Sequence, residues 1–134
     1  MLNKMIQSVK DRIEVYKRDH SLPGSWKLVE YYTEPGDELL NFKEEQIVSD
    51  NLHWEITFSE EGEFTLKSNL NISVLEGLES GNWSKSRNFV TLLHPDDFRK
   101  NTEFQFAFDK GNLKLLKKDG FGKIIVFAFF KRLS

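Results

Sequence analysis

Cysteine is absent from the chain, and with it go thiol nucleophiles, disulfides and thiolate metal sites, while the redox compartment stays undecided. Histidine is scarce: His20, His53 and His94 are scattered, and none sits in the His-Glu-x-x-His spacing that sets two imidazoles on one helix face for a metal. From Phe104 onward there is no His or Met, so the last strands offer no axial ligand to a haem. Neither a Gly-x-Ser-x-Gly elbow nor a phosphate-binding glycine loop occurs, which removes two common nucleophile and nucleotide signatures. Long apolar runs are missing too. The longest, Ile124 to Phe130, has seven residues, too few to cross a bilayer as a helix.

Charge of one sign is also lacking. Nineteen Lys and Arg stand against twenty-one Asp and Glu, a formal charge of −2, so no general field draws in nucleic acid or an anionic membrane. Lys114, Lys117 and Lys118 near Phe121 imitate a basic-aromatic surface, but the turns at Asp109 and Asp119 flank them, and a solvated hairpin with no nucleic-acid partner is expected. Glu44-Glu45, Glu60-Glu61 and Asp96-Asp97 read as turn or solvated pairs rather than two acids held across a cleft. No catalytic residue, metal ligand or cofactor is therefore assigned. An acid–base enzyme is the third reading, to be revealed by titratable groups converging in a wet pocket. Residues 1–11 mix Lys4, Gln7, Lys10 and Asp11 with apolar positions, unlike a secretory signal. A cytoplasmic location is expected if the chain is complete as given, and an envelope or secreted one only if a leader was removed.

What the chain does have is rings. Twelve Phe, three Tyr and three Trp among 134 residues suffice for one sizeable core without metal or disulfide support. Leu2, Met5, Ile6, Val9, Ile13 and Tyr16 recur at spacings of three and four, which predicts an amphipathic helix from about Asn3 to Arg18, ended before Pro23-Gly24. Residues 1–21 are expected to pack on or cap a β domain spanning 22–134. The helix also offers a stripe to a partner or to a second copy in a homodimer.

After Ser25 the period changes to two. Trp26, Leu28 and Val29 open a strand through Tyr32. Trp54, Ile56 and Phe58 alternate with polar neighbours, as do Phe64, Leu66 and Ser68 after the Ser59–Gly62 turn, which predicts a hairpin with one wet face. Further strands are expected around Ile72–Leu78, Gly81–Lys85, Phe89–Leu93, Phe104–Phe108, Leu113–Lys117 and Ile124–Leu133. Asp37–Asp50 supports either a strand or a lid-like turn of helix. Some eight short strands joined by tight turns favour an antiparallel barrel or sandwich over a βαβ fold. The last strand, apolar on both faces, favours closure, because an exposed edge of that composition would aggregate.

Gly24-Ser25-Trp26-Lys27-Leu28-Val29, Ile56 to Phe64 and Ser80-Gly81-Asn82-Trp83-Ser84, with the ending Phe130-Lys131-Arg132-Leu133, resemble the lipocalin-like (calycin) superfamily, most closely the bacterial lipocalin-like domains. That resemblance runs over about Leu22 to Leu133. It implies a closed up-and-down barrel of about eight strands, with Trp26 at the closed end beneath Arg132, whose guanidinium lies over the indole while its donors satisfy backbone carbonyls. Family members commonly carry small apolar ligands. The fatty-acid carriers, with a helical pair between their first two strands, are a more distant match.

Strict alternation from Trp26 and Leu28 puts Glu30 and Tyr32 on the inner face toward the open end, as polar anchors for a ligand, unless a bulge redirects Glu30 to solvent. Trp54, Phe106 and Phe127 are the expected apolar lining. The leading functional reading is noncatalytic binding of a small hydrophobic or amphipathic molecule. Its rival is an interaction module whose barrel is filled by its own rings, an outcome that an eight-stranded barrel permits equally well.

Overall fold

The computed structural model describes residues 8–13 and 20–133. Residues 8–13 are helical and exposed, in line with part of the expected helix. Leu2, Met5, Ile6 and Tyr16, and with them most of its apolar stripe, lie outside the described residues.

Nine strands follow: β1 (Gly24–Thr33), β2 (Leu40–Phe42), β3 (Trp54–Phe58), β4 (Glu63–Ser68), β5 (Ser80–Ser86), β6 (Phe89–Leu93), β7 (Thr102–Asp109), β8 (Asn112–Lys118) and β9 (Ile124–Arg132). Every pairing is antiparallel. β1 and β3 to β9 pair in sequence order and β9 returns to β1, giving a closed up-and-down barrel of eight strands, the architecture that the lipocalin resemblance implies. β2 is an addition to the wall: one edge of β1 serves β3 with Gly24–Lys27 and β2 with Tyr31–Thr33. Closure gives the apolar β9 a partner on each side, β8 and β1, which answers the aggregation hazard of its composition.

The period-two pattern places the core. Trp54, Ile56 and Phe58 of β3, Phe64 and Leu66 of β4, Val90 and Leu92 of β6, and Leu113 and Leu115 of β8 are all buried, while their neighbours in each strand face outward. Val126, Ala128 and Phe130 complete the inner face from β9. Between β7 and β8 the chain reverses through Lys110 (φ 54°) and Gly111 (φ 80°), a two-residue hairpin loop whose left-handed residues match the strand twist. At Gly81 a Cβ would run into the carbonyl oxygen of Leu93, so this position of β5 takes glycine for lack of space.

The end of the barrel where β1 begins is tied by its aromatic and basic residues. Arg132 lies over the Trp26 ring, 4.1 Å from its centroid, and donates from its terminal nitrogens to the carbonyls of Pro23 (2.8 Å) and Ser21 (2.7 Å). Trp26 Nε1 donates to the Leu22 carbonyl at 2.9 Å, so the approach to β1 is bound to both members of the pair. Phe108 packs beside Trp26, centroids 6.1 Å apart.

The structure decides two open alternatives, the bulge at Glu30 and the segment 37–50, and corrects the inward placement of Tyr32 and Phe127 and the strand expected at Ile72–Leu78. A β-bulge between Leu28 and Glu30 inserts Val29 against β9, so that Leu28 opposes Phe130 while Glu30, Tyr31 and Tyr32 oppose Phe129, Ala128 and Phe127. An inserted residue inverts the parity of a strand: Tyr31 is the buried one, and Glu30 and Tyr32 face outward rather than into the lumen, as does Phe127 of β9, whose neighbours Val126 and Ala128 are the buried ones. Ile72–Leu78 is no strand; it contains a 3-10 turn, Ser73–Leu75, followed by Gly77 at φ 71°. The undecided segment is both of its alternatives in succession, β2 and then a short helix, Glu44–Ser49, that buries Ile47 and exposes Val48.

Candidate functional site

The other end of the barrel carries the connections 34–53, 69–79, 94–101 and 119–123. The 69–79 connection crosses the opening. Leu70, Ile72, Leu75 and Leu78 are buried in the core cluster, which is why this apolar stretch folds inward instead of extending as a strand. Its start is bound firmly: Asn69 Oδ1 accepts from His53 N at 2.7 Å and Asn69 Nδ2 donates to the Asn51 carbonyl at 2.8 Å. Its end is held at Leu66 N, which donates to the Glu79 carbonyl at 2.7 Å.

Clefts open on both sides of this cap. β4 runs on to Ser68, but its pairing with β5 stops at Thr65 opposite Ser80. The strands part there around a cleft of about 770 Å³ lined by His53, Leu66, Ser68, Leu70, Leu75 and Leu78 among others. On the opposite side a smaller cleft, about 290 Å³, lies between the cap and the rim of β7 and β8, with Ser73, Glu76, Arg99, Lys100, Thr102 and Lys117 in its lining.

Beneath the cap are two polar groups out of keeping with their surroundings. Trp54, the first residue of β3, is 0% exposed and Thr102, the first residue of β7, is 5% exposed, yet among the described residues neither Trp54 Nε1 nor Thr102 Oγ1 has a hydrogen-bond partner. Both strands start at this end, and Thr102 lines the smaller cleft. The Trp54 ring stands edge-on to Phe130, centroids 4.9 Å apart, and lies 6.0 Å from Phe104, whose own strand also carries Thr102. An unpaired buried donor costs about 1 to 3 kcal/mol, and native interiors carry few of them.

Of the residues expected to line a cavity, the structure turns Trp54 inward, and with it Phe106, which pairs opposite the buried Leu115. The rest assemble on the outer wall. Tyr32, Phe127 and Phe129 pack together, with Phe127 and Phe129 4.7 Å apart and Lys114 Nζ 5.6 Å over Phe129, and Glu30 accepts from Asn41 Nδ2 at 3.0 Å. Thr102, Arg99 and Lys100 escaped the sequence reading, and Lys117 entered it only as part of a solvated basic surface. For Thr102 the signal existed, since it shares the parity of Phe104 and Phe106. For the cations it did not, because their meeting depends on how the cap crosses the barrel.

Two titrating groups are displaced near this end. The Tyr31 phenol, stacked on Phe42 at 4.6 Å, is pushed above its ordinary value by burial and then by the negative charge of Asp50. The Asp97 carboxyl is held below its ordinary range, first by the hydrogen bond from the Arg99 side chain and then by the Arg99 backbone N–H. Among the described residues no three His, Asp or Glu side chains are grouped to hold a metal, and no helix is long and apolar enough to cross a membrane.

No family model matches the chain, and neither a curated protein nor a solved structure gives a match.

Proposed function

We propose that the protein is a noncatalytic binder of a small hydrophobic or amphipathic molecule, taken up at the loop end of the barrel under the 69–79 cap. The observation that carries this reading is the pair of unpartnered buried groups, Trp54 Nε1 and Thr102 Oγ1, beneath a cap flanked by two clefts. A ligand with an acceptor atom there satisfies the indole N–H, and its apolar body takes the volume that Leu70, Ile72, Leu75 and Leu78 occupy. The deeper half belongs to the fold rather than the ligand: Phe104, Leu113, Leu115, Ala128 and Phe130 are fully enclosed by their neighbours, as befits interior packing.

The test is titration of the purified protein with decanol, followed by tryptophan fluorescence and native mass spectrometry. Saturable one-to-one binding that weakens at least about tenfold in Trp54→Phe, a change that keeps the ring and removes the donor, is the expected result. Absence of binding, or identical binding by the variant, rejects the assignment.

A second reading is favoured by the same full enclosure of the inner face. A barrel filled by its own side chains works as an interaction module, and the loop end exposes Phe98 (79%) and Phe121 (97%) on two separate connections, with Val48 and Leu39 on a third. Large apolar side chains set around one end of a domain are a contact surface for a partner. Failure of every small apolar probe together with self-association abolished by Phe98→Ser and Phe121→Ser supports this reading over the first.

A further inference from the structure

The smaller cleft has a chemical character that the larger one lacks. Three cationic side chains, Arg99, Lys100 and Lys117, line about 290 Å³ of space with a single carboxylate, Glu76, among them. Their charges are not equally spent. Arg99 is paired with Asp97, Nε to Oδ1 at 3.1 Å. Lys117 Nζ donates to a neutral acceptor, the Glu103 carbonyl, at 3.2 Å. Lys100 has no ion pair among the described residues; its Nζ lies against Gly77, 3.1 Å from where a Cβ would stand. Even with Glu76 set against one ammonium, the cleft keeps a net positive charge.

Its position gives that charge a direction. Lys117 continues the inner-face parity of Leu113 and Leu115 and pairs opposite the buried Val126, so a strand that is apolar inside along its length ends in an ammonium at the rim. Thr102, whose buried hydroxyl lacks a partner among the described residues, lines the same cleft. A hydroxyl that can donate, beside two ammonium groups, at the boundary between a polar cleft and an apolar interior, matches the head of an amphiphile bearing a compact anion. Ion attraction at such a half-buried rim is screened less than on open surface.

We propose that this cleft holds the anionic head, carboxylate or phosphate, of an amphiphilic ligand whose chain passes beneath the 69–79 cap. The assignment rests on the binding reading above and narrows it from a hydrophobic or amphipathic molecule to an anionic amphiphile.

Decanoate, decyl phosphate, decanol and inorganic phosphate, titrated separately into the intact protein and into Lys100→Gln/Lys117→Gln, test it. Decanoate and decyl phosphate are expected to bind about tenfold more tightly than decanol. The double variant should bring both to within about twofold of decanol while leaving decanol unchanged, which also certifies its fold, and raised salt should erase the same preference. Equal binding of decanol and decanoate by the unaltered protein, or a preference that survives the double substitution, overturns the head site and leaves the apolar site standing. Binding of inorganic phosphate with no decyl compound bound, lost in the double variant, overturns the amphiphile in favour of a free anion. No binding of any probe overturns both readings.

Discussion

At the closed end of the barrel, the atoms that shut it are bound to one another: Trp26 to the Leu22 carbonyl, Arg132 to the carbonyls of Pro23 and Ser21, and guanidinium to indole face. At the loop end the closure is an apolar connection laid across the opening, flanked by clefts, with an indole N–H and a hydroxyl left unpaired below it. The same barrel thus contains one end closed by polar ties to its own backbone and one closed by apolar packing above two buried polar groups that lack such ties. Unsatisfied buried groups are tolerated where a second state or a ligand compensates for them, and the contrast between the ends is the physical case for placing function at the loops.

The contrast breaks most visibly at Arg132. Arg132→Ala removes the cation over the ring and strands two carbonyls, and is expected to destabilise by about 3 kcal/mol, a fall of roughly 10 °C in melting temperature. A melting curve matching the unaltered protein would deny the closed end its structural role. Thr102→Val probes the other end with the opposite sign. The shape is kept and the orphan hydroxyl is removed, so the ligand-free protein should gain about 1 kcal/mol while losing affinity for decanoate. If thermal unfolding instead shows a loss, the hydroxyl is already satisfied and the two ends no longer differ in kind.

The smallest effect is in pH. Burial keeps the Tyr31 phenol neutral, so its folded value lies above the unfolded one. The stabilisation is fully present below about pH 10 and is lost as pH rises through the folded value. Tyr31→Phe should match the parent within about 0.5 kcal/mol at neutral pH and lose less stability above pH ~10; parallel losses in alkaline denaturation would remove Tyr31 from the buried inner face.

Most of the wall was legible because alternation is a strong signal where one face is buried and the other wet, as in Trp54-Glu55-Ile56-Thr57-Phe58. The tie between Trp26 and Arg132 was legible through family likeness. Two places resisted for definite reasons. Leu70, Ile72, Leu75 and Leu78 are as apolar as a strand, and only the need to cover an opening makes them a cap, a tertiary demand that no local pattern encodes. The site turned on parity: the bulge weighed for Glu30 also carries Tyr32 outward, and Phe127 stands on the outer face of a strand whose apolar residues on both faces give alternation nothing to read. Lys117 was visible as a cation, yet its place at the end of an inner-face row emerges only from its register with Val126.

The bulged residue of β1 also decides how this barrel can be re-addressed. Because Val29 shifts the phase of β1, position 31 carries the strand's inward polar tip, stacked on Phe42, and positions 30 and 32 write only to the exterior. Exchanging Tyr31 for other residues therefore amounts to editing the recess from within, whereas the same exchanges one residue to either side merely redecorate the hull. Excising Val29 would transpose the two alphabets, turning an acid and a phenol toward the rings and a ring-stacked tyrosine toward water.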